Sequence, residues 1–394
     1  MIEFISLLLT IAGAAVLAIT IVFAAEVVAS FFYDAPEVSQ LATRGRIVVL
    51  IPAHNEVGGI AQTVALVVKE LAAGDRVIVV ADNCSDETAE VARAAGAVAI
   101  ERSDPDRVGK GFAMQFGVDY LRPDPPEAVI FLDADCIPVL GAIDRIAKIA
   151  HATSRPVQAL YLANPPANSG AASSVSAFAW LLINRVRMSG LQALGGFSRL
   201  TGSGMALPWE LLESRKLSTG EIVEDLALTT SLIEEGHAPL LDLRSVILTE
   251  LARTEVGAAT QRARWEIGSM RLALRKAGML FGHGLSGDRK AFLMALDLLI
   301  PPLTVLGAVI LAGLIVSILF VFLGHSGAFQ AFWIAGIITG GSIAFSWLAY
   351  GRTILPPATF AGLGGYLVQK IRVYFGEGRK SAERWTRTDR GDGR

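Results

Sequence analysis

Residues 47–56 read Ile47-Val48-Val49-Leu50-Ile51-Pro52-Ala53-His54-Asn55-Glu56, an unbroken aliphatic run that ends at once in a turn carrying an amide and a carboxylate. A branched apolar run with no polar alternation predicts a strand buried on both faces, as a parallel sheet requires. The pattern recurs downstream in Val77-Ile78-Val79-Val80, Ala97-Val98-Ala99-Ile100 and Val129-Ile130-Phe131-Leu132, with helical patterns between, for example over 63–73 and 86–95. Strands alternating with helices predict right-handed βαβ units in an α/β, doubly wound, mostly parallel sheet with flanking helices. Such sheets bind ligands beyond the carboxyl ends of their strands. Polar residues collect there: Asn55 and Glu56 after the first run, Asp82 after the second, Asp133-Ala134-Asp135 after the fourth. From 171 to 250 the pattern reads as mostly helical and less regular.

Composition places part of the chain in a membrane. Of 394 residues 52% are hydrophobic and 18% charged, against about 25% charged in soluble domains. The formal charge of −2 excludes a nucleic-acid partner, which needs a basic face. Cys84 and Cys136 have no metal-ligand spacing and no disulfide framework, so both are read as free thiols. Three stretches, 4–32, 303–323 and 332–350, are apolar enough to span. The first has only Glu3 before it and no basic n-region, which argues against a cleaved signal peptide. Arg44 and Arg46 follow the first stretch and Arg352 the third, while the 324–327 turn has no Lys or Arg. The positive-inside rule then puts the N-terminus outside and 45–290 in the cytosol, at the inner cell membrane.

Within the first stretch, Glu26 reads as an interfacial, solvated carboxylate near the inner end. Residues 264–280 form a basic amphipathic pattern (Arg271, Arg275, Lys276) suited to an anionic leaflet. Asp297 and Pro301-Pro302 break the next apolar run, so 291–300 is expected in the interface. Residues 355–375 are expected to be interfacial, and the charged tail 376–394 cytosolic. Gly336-x-x-x-Gly340 allows close helix packing, expected within the hairpin of one chain. The expected division is a membrane anchor over 1–45, a catalytic unit over 46–263, interfacial helices over 264–302, a transmembrane hairpin over 303–350 and a tail over 351–394.

Several motifs admit two readings. Asp133-Ala134-Asp135 is either a solvated strand-end turn or a site for a hard divalent cation such as Mg²⁺ or Mn²⁺. In Asp82-Asn83-Cys84-Ser85-Asp86, Ser85 or Asn83 is expected to cap the following helix. Gly109-Lys110-Gly111 precedes a helix whose N-terminus can attract phosphate, or is a plain turn. Glu224-Asp225 opens an amphipathic helix, where acids meet the helix dipole. Gln261-Arg262-Ala263-Arg264-Trp265 offers a guanidinium fork for phosphate and an indole for a sugar ring. Gly202-Ser203-Gly204-Met205 is a turn whose bare backbone admits close approach of a ligand.

Taken in order, Asp82, Asp133-Ala134-Asp135, Glu224-Asp225 and Gln261-x-x-Arg264-Trp265 resemble the signature of membrane-bound, inverting family 2 glycosyltransferases with the GT-A fold, the group that includes cellulose, hyaluronan and chitin-oligosaccharide synthases. The resemblance covers about 45–290 and the arrangement of one span before and two after. It implies that Pro52, Ala53, Asn55, Glu56, Asp82, Lys110, Asp133, Gln261, Arg264 and Trp265 hold a UDP-sugar. It implies Asp135 and Asp133 as ligands for Mg²⁺ or Mn²⁺, Asp225 as general base with Glu224 beside it, and Gly202, Ser203, Gly204, Met205 and Trp265 on the acceptor side. The implied activity is transfer to a hydroxyl of a growing polysaccharide or a lipid-linked oligosaccharide. A single addition to a lipid acceptor, a homo-oligomer and an inactive sugar-nucleotide scaffold are the alternatives. Val223 stands where many of these synthases have Thr, and no F-x-V-T-x-K gating loop follows Trp265. Both departures bear on processivity more than on chemistry.

Overall fold

The run at 47–53 becomes an inner strand of an eight-stranded sheet. In the computed structural model, which describes residues 1–38, 43–166, 170–218, 223–251 and 255–362 (side chains of 255–264 and 361–362 apart), the chain starts with helix α1 (Ile2–Ala29). The first half of the sheet is then built by β1 (Ile47–Ala53), α2 (Ile60–Val68), β2 (Arg76–Asp82), α3 (Thr88–Ala94), β3 (Val98–Arg102), α4 (Lys110–Leu121) and β4 (Ala128–Phe131). These four strands are parallel in the order β3-β2-β1-β4. Order reverses between β1 and β4, and such a reversal opens a crevice at the strands' carboxyl ends. Register pairs Ala53 with Ala81 and Leu50 with Phe131, so the turns after all three strands end at nearly one level.

Period-two side-chain alternation along β1 supplies both faces of the core. Ile47, Val49 and Ile51 pack on one side with Ile60, Val64 and Val67 of α2 and with Ile143 and Ile146 of α5 (Ala142–Thr153). Val48 and Leu50 pack on the other with Met114, Val118 and Leu121 of α4. These residues are essentially inaccessible to water. Burial on both faces is the reason the strand sequence carries no polar alternation.

The second half of the sheet is mixed. It comprises β5 (Ile137–Pro138), β6 (Val157–Asn164), β7 (Met205–Pro208) and β8 (Leu240–Glu250). β7 runs antiparallel to β4 and β6, β6 parallel to β8, and β5 antiparallel to β8. Residues 171–250 are therefore not mostly helical: two strands lie among α6 (Ala171–Leu181), α7 (Met188–Gly195) and α8 (Glu224–Glu234). β8 was hidden because Asp242, Arg244 and Ser245 interrupt its apolar pattern. Asp242 is nevertheless fully buried, held by Arg145 at 2.8 Å and by the Ser245 hydroxyl at 2.6 Å.

Beyond the sheet, α9 (Glu255–Leu285) packs on α10 (Arg289–Leu298), and α11 (Leu303–Val321) and α12 (Gly327–Ser346) form a hairpin against α1. Three helices, Ile2–Phe32, Leu303–Val321 and Gly327–Gly351, are long and apolar enough to cross a membrane. A Cβ on Gly336 would touch Ile310 Cγ2 at 3.5 Å, so this glycine packs inside the hairpin, while one on Gly340 would meet nothing within 4 Å. Residues 363–394, which include the tail, fall outside the described part.

Glu26 is not solvated. Its carboxylate is buried and paired with Arg187 Nε at 2.8 Å, and Arg187 Nη2 reaches Asp297 Oδ1 at 2.6 Å. Arg199 Nη1 lies 3.1 Å from the other Asp297 oxygen. Asp297 is thus a buried member of an ion network at the base of the spans rather than an interfacial breaker. Where α1 crosses α7 there is no room for a side chain: a Cβ on Gly190 would fall 1.9 Å from Glu26 O. Arg187→Met would strand the Glu26 carboxylate in a dry interior and leave Asp297 with Arg199 alone. We expect it to lose about 3–5 kcal/mol of stability, read as a lowered thermal midpoint in detergent, whereas the exposed Arg352→Met should not shift it.

Candidate active site

The crevice between β1 and β4 gathers most of the residues singled out by sequence. Asp133 and Asp135 lie in the turn after β4, where Leu132 N–H still bonds Leu50 O at 3.1 Å before the chains part. Antiparallel pairing of β4 with β7 brings the 201–204 loop alongside, and Gly204 N–H donates to Phe131 O at 2.9 Å. The Ser203 hydroxyl accepts from Asp133 N–H at 3.0 Å and donates to Cys136 Sγ at 3.1 Å. Met205 begins β7 and is buried in the core, as are Gly202, Ser203 and Gly204, with Thr201 partly exposed at the start of the loop.

Lys110 is the first residue of α4. Its ammonium lies 2.5 Å from Asp133 Oδ1 and donates to Gly202 O at 2.6 Å. Gly202 has φ +85°, and a Cβ there would sit 3.1 Å from Lys110 Nζ and 3.4 Å from Asp225 Oδ2. Only glycine both adopts that backbone and leaves the gap between lysine and aspartate open. Glu224 and Asp225 open α8, so the helix dipole partly offsets their charge. Burial pushes the Glu224 carboxyl up to about 7, with Lys110 opposing the rise and Asp225 adding to it. Burial also raises Asp225, against Lys110. For Lys110 itself burial works against the charge, but Asp133, Glu224 and Asp225 outweigh it and raise its pKa.

Asp133, Asp135 and Cys136 bring their ligand atoms within 4.8 Å of one another. Asp135 Oδ2 accepts from the Thr249 hydroxyl at 3.1 Å, which fixes the carboxylate's orientation. Burial pushes the Cys136 thiol well up, so it stays protonated and the two carboxylates remain as oxygen donors. That donor set fits Mg²⁺ or Mn²⁺, hard cations that take one or two carboxylates and complete their shell with substrate oxygens.

At the far end of the crevice, Asp82 is paired with Arg102 at 2.6 Å and accepts from Asn83 Nδ2 at 3.1 Å. Burial raises its carboxyl while Arg102 lowers it. His54 Nδ1 bonds Asp82 O at 2.7 Å, and Asn55, held at φ +54°, accepts from Ser85 N–H at 2.7 Å. Glu56 N–H donates to the Thr88 hydroxyl at 2.8 Å. Pro52 and Ala53 are the last residues of β1. The cap of α3 is neither Ser85 nor Asn83: Asp86 Oδ1 accepts from Thr88 N–H at 3.1 Å, and Asn83 is spent tying Asp82 to the 104 turn.

Trp265 packs edge-on to Trp180 at 5.2 Å, Trp180 edge-on to Tyr161 at 5.2 Å, and the Tyr161 hydroxyl meets Cys136 Sγ at 3.6 Å. The side chains of Gln261 and Arg264 lie outside the described residues. Sequence reading missed Thr249, Arg102 and Trp180, and also Gln158, a polar residue in the apolar run of β6. Gln158 accepts from Thr201 N–H and donates to Ser203 O, both at 2.8 Å, and so shapes the loop under Asp133. Gln158→Leu would leave those backbone groups unsatisfied. We expect it to lose about 1–3 kcal/mol in thermal unfolding.

Three comparisons bear on this arrangement. A family profile described as Glycosyltransferase like family 2 matches residues 44–268. Among solved structures, the mannosyltransferase PcManGT from Pyrobaculum calidifontis, in complex with GDP-Man and Mn²⁺, is 16% identical with a TM-score of 0.56, over 95% of this chain and 99% of that one. Glucosyl-3-phosphoglycerate synthase from Mycobacterium tuberculosis, bound to Mn²⁺, UDP and phosphoglyceric acid, is 21% identical with a TM-score of 0.39, over 56% of this chain and 77% of that one. At these identities the likeness is one of fold. No curated protein sequence matches the chain.

Proposed function

The chain belongs to the family of glycosyltransferases like family 2, and on that premise we propose a membrane-anchored, inverting transferase that moves a sugar from a nucleoside diphosphate, UDP-linked, to an acceptor hydroxyl. What carries this reading is the meeting of Asp133, Lys110, Gly202 and Asp225 at the sheet's switch point. In it, Asp225 takes the acceptor's proton as the oxygen attacks the anomeric carbon from the side opposite the diphosphate. Glu224 keeps the pocket electronegative without touching the reacting atoms. The open backbone at Gly202 admits the acceptor beside Asp225, and Trp265 forms the wall against which a sugar ring stacks. Lys110, with Arg264, meets the negative charge that the diphosphate gains as the glycosidic bond breaks. Asp135 and Asp133 would hold Mg²⁺ or Mn²⁺, whose charge stabilises the same leaving group. A base on one face and the leaving group on the other yields a β-link from an α-donor.

Asn55, Glu56 and Asp82 form the nucleotide end of the proposed cleft, with Asp82 facing the base. The catalytic unit is placed on the cytosolic side, where sugar nucleotides are made, with 264–302 along the inner leaflet and the hairpin 303–350 in the membrane. The three candidate spans among the described residues are few to enclose a polysaccharide channel. This favours a short or lipid-linked acceptor, or a homo-oligomer around a shared pore. A chain-length ladder in product sizing would overturn single addition in favour of the polymerising kinship with cellulose, hyaluronan and chitin-oligosaccharide synthases.

The reading is tested by diphosphate release from purified enzyme over a panel of UDP- and GDP-sugars with Mg²⁺ or Mn²⁺. Binding of a donor with no turnover on any acceptor would leave the scaffold reading instead. Asp225→Asn should remain folded and lose a factor of about 10²–10⁴ or more in turnover. A pH series gives a further test. Both carboxyls are raised, so each holds its proton to higher pH and the base form is lost as pH falls through the raised values. We expect turnover to decline on the acid side as Asp225, which burial raises above its ordinary value, takes up its proton. A rate with no acid-side decline through the carboxylate range would remove Asp225 as the base.

A further inference from the structure

Lys110 touches the acidic site in a way that its proposed role at the diphosphate does not require. Its ammonium is bonded to Asp133 Oδ1 and to Gly202 O, with Asp225 on the far side of Gly202. It therefore joins the donor-side carboxylate to the acceptor-side loop. The ammonium has three donor hydrogens and a flexible four-carbon stem. Two of the hydrogens are used by Asp133 and Gly202.

We propose that Lys110 is a counter-ion switch: it competes with the divalent cation for Asp133 and gives way when a diphosphate offers it a new partner, freeing the Gly202 carbonyl. The inference rests on the transferase reading for its diphosphate. The competition with a divalent cation rests on the geometry alone. A dication arriving at Asp133 and Asp135 meets an ammonium 2.5 Å from one of its ligands. The two cations repel across a poorly solvated gap, so the metal binds weakly while the lysine stays. A diphosphate carries charge enough for both, draws the ammonium off Asp133 and relieves the repulsion. Metal and nucleotide then strengthen each other's binding by the same factor, as linkage requires. Gly202 O loses its lysine partner in the same movement, while Gln158, Ser203 and Gly204 keep the rest of the loop in place.

The probe is Mn²⁺ alone, added to nucleotide-free full-length protein in detergent and followed by the electron paramagnetic resonance signal of free Mn²⁺. Removing the ammonium in Lys110→Met should tighten Mn²⁺ binding by about tenfold, while Lys110→Arg, which keeps the charge, should stay near wild type. Thermal midpoints within a few degrees of wild type show that both variants are folded. Unchanged or weaker Mn²⁺ binding by Lys110→Met overturns the switch, as does equal tightening by Lys110→Arg. The donor panel separates the two ideas. Turnover with no Mn²⁺ effect sinks the switch alone, and tightened Mn²⁺ with no turnover on any donor sinks the transferase reading alone.

Discussion

Three carboxylates, Asp133, Glu224 and Asp225, act on one ammonium, that of Lys110, and most of the surrounding structure makes that crowding tolerable. Burial raises the proton affinity of Glu224 and Asp225, and for Glu224 the neighbouring Asp225 raises it again. The offsets are local and specific. Lys110 answers Asp133 directly and the acid pair of α8 through space. The α8 dipole and the Leu226 N–H, 2.8 Å from Asp225 Oδ1, hold the aspartate. The Thr249 hydroxyl holds Asp135. None of these partners is adjacent in sequence to the group it offsets except Leu226, so the site exists only when both halves of the sheet are assembled.

That dependence explains why the antiparallel strands are present at all. A purely parallel β3-β2-β1-β4 unit would supply Asp133 and Asp82 but neither the 201–204 loop nor Thr249. β7, pairing against β4, returns the chain so that its preceding loop lies under Asp133. The two-residue strand β5 pairs Ile137 with Leu248 and so draws the 133–136 turn onto the end of β8. Helix α8 is tied to the same loop, since Thr229 of α8 accepts from Leu200 N–H at 2.9 Å. The groups proposed for donor and acceptor are thus fixed to one backbone segment, and a shift of that segment moves both.

The half of the fold that was legible in the sequence is the half buried on both faces. β1, β2 and β4 have no solvent face, so their apolar runs needed no partner to be recognised, and their ends located Asn55, Asp82, Asp133 and Asp135. β8 was not legible because its polar residues are satisfied by distant groups, Asp242 by Arg145 above all. Glu26 failed for the same reason. A lone carboxylate near the end of an apolar helix reads as facing water, and its true partner, Arg187, is 161 residues away. The α3 cap went to Asp86 because Asn83 was taken by the 104 turn, a choice that only the tertiary contact decides. Gln158 carried a usable signal, a polar residue inside a buried strand, which must have buried partners of its own.

The membrane part is coupled to the site through a single helical run. α6 passes through a wide turn at 182–187 into α7 without leaving the helix, and wide turns of this kind often accompany functional positions. Along that run Trp180 meets Trp265, Asn184 donates to Tyr161 O at 3.0 Å, Arg187 binds Glu26 and Asp297, and Gly190 lies flat against α1. Positions 180 and 184 are one turn apart on the face toward the sheet. Positions 187 and 190 fall on the face toward the first span. The wall of the cleft and the anchor of the first apolar helix therefore belong to one continuous helical run, about 37 Å long at 1.5 Å per residue. Because the ion network at Arg187 is buried and directional, α1 cannot rotate or slide without breaking it or carrying Trp180 along. In the proposed membrane-anchored transferase, this constraint would set the position of Asp225 relative to the apolar helices.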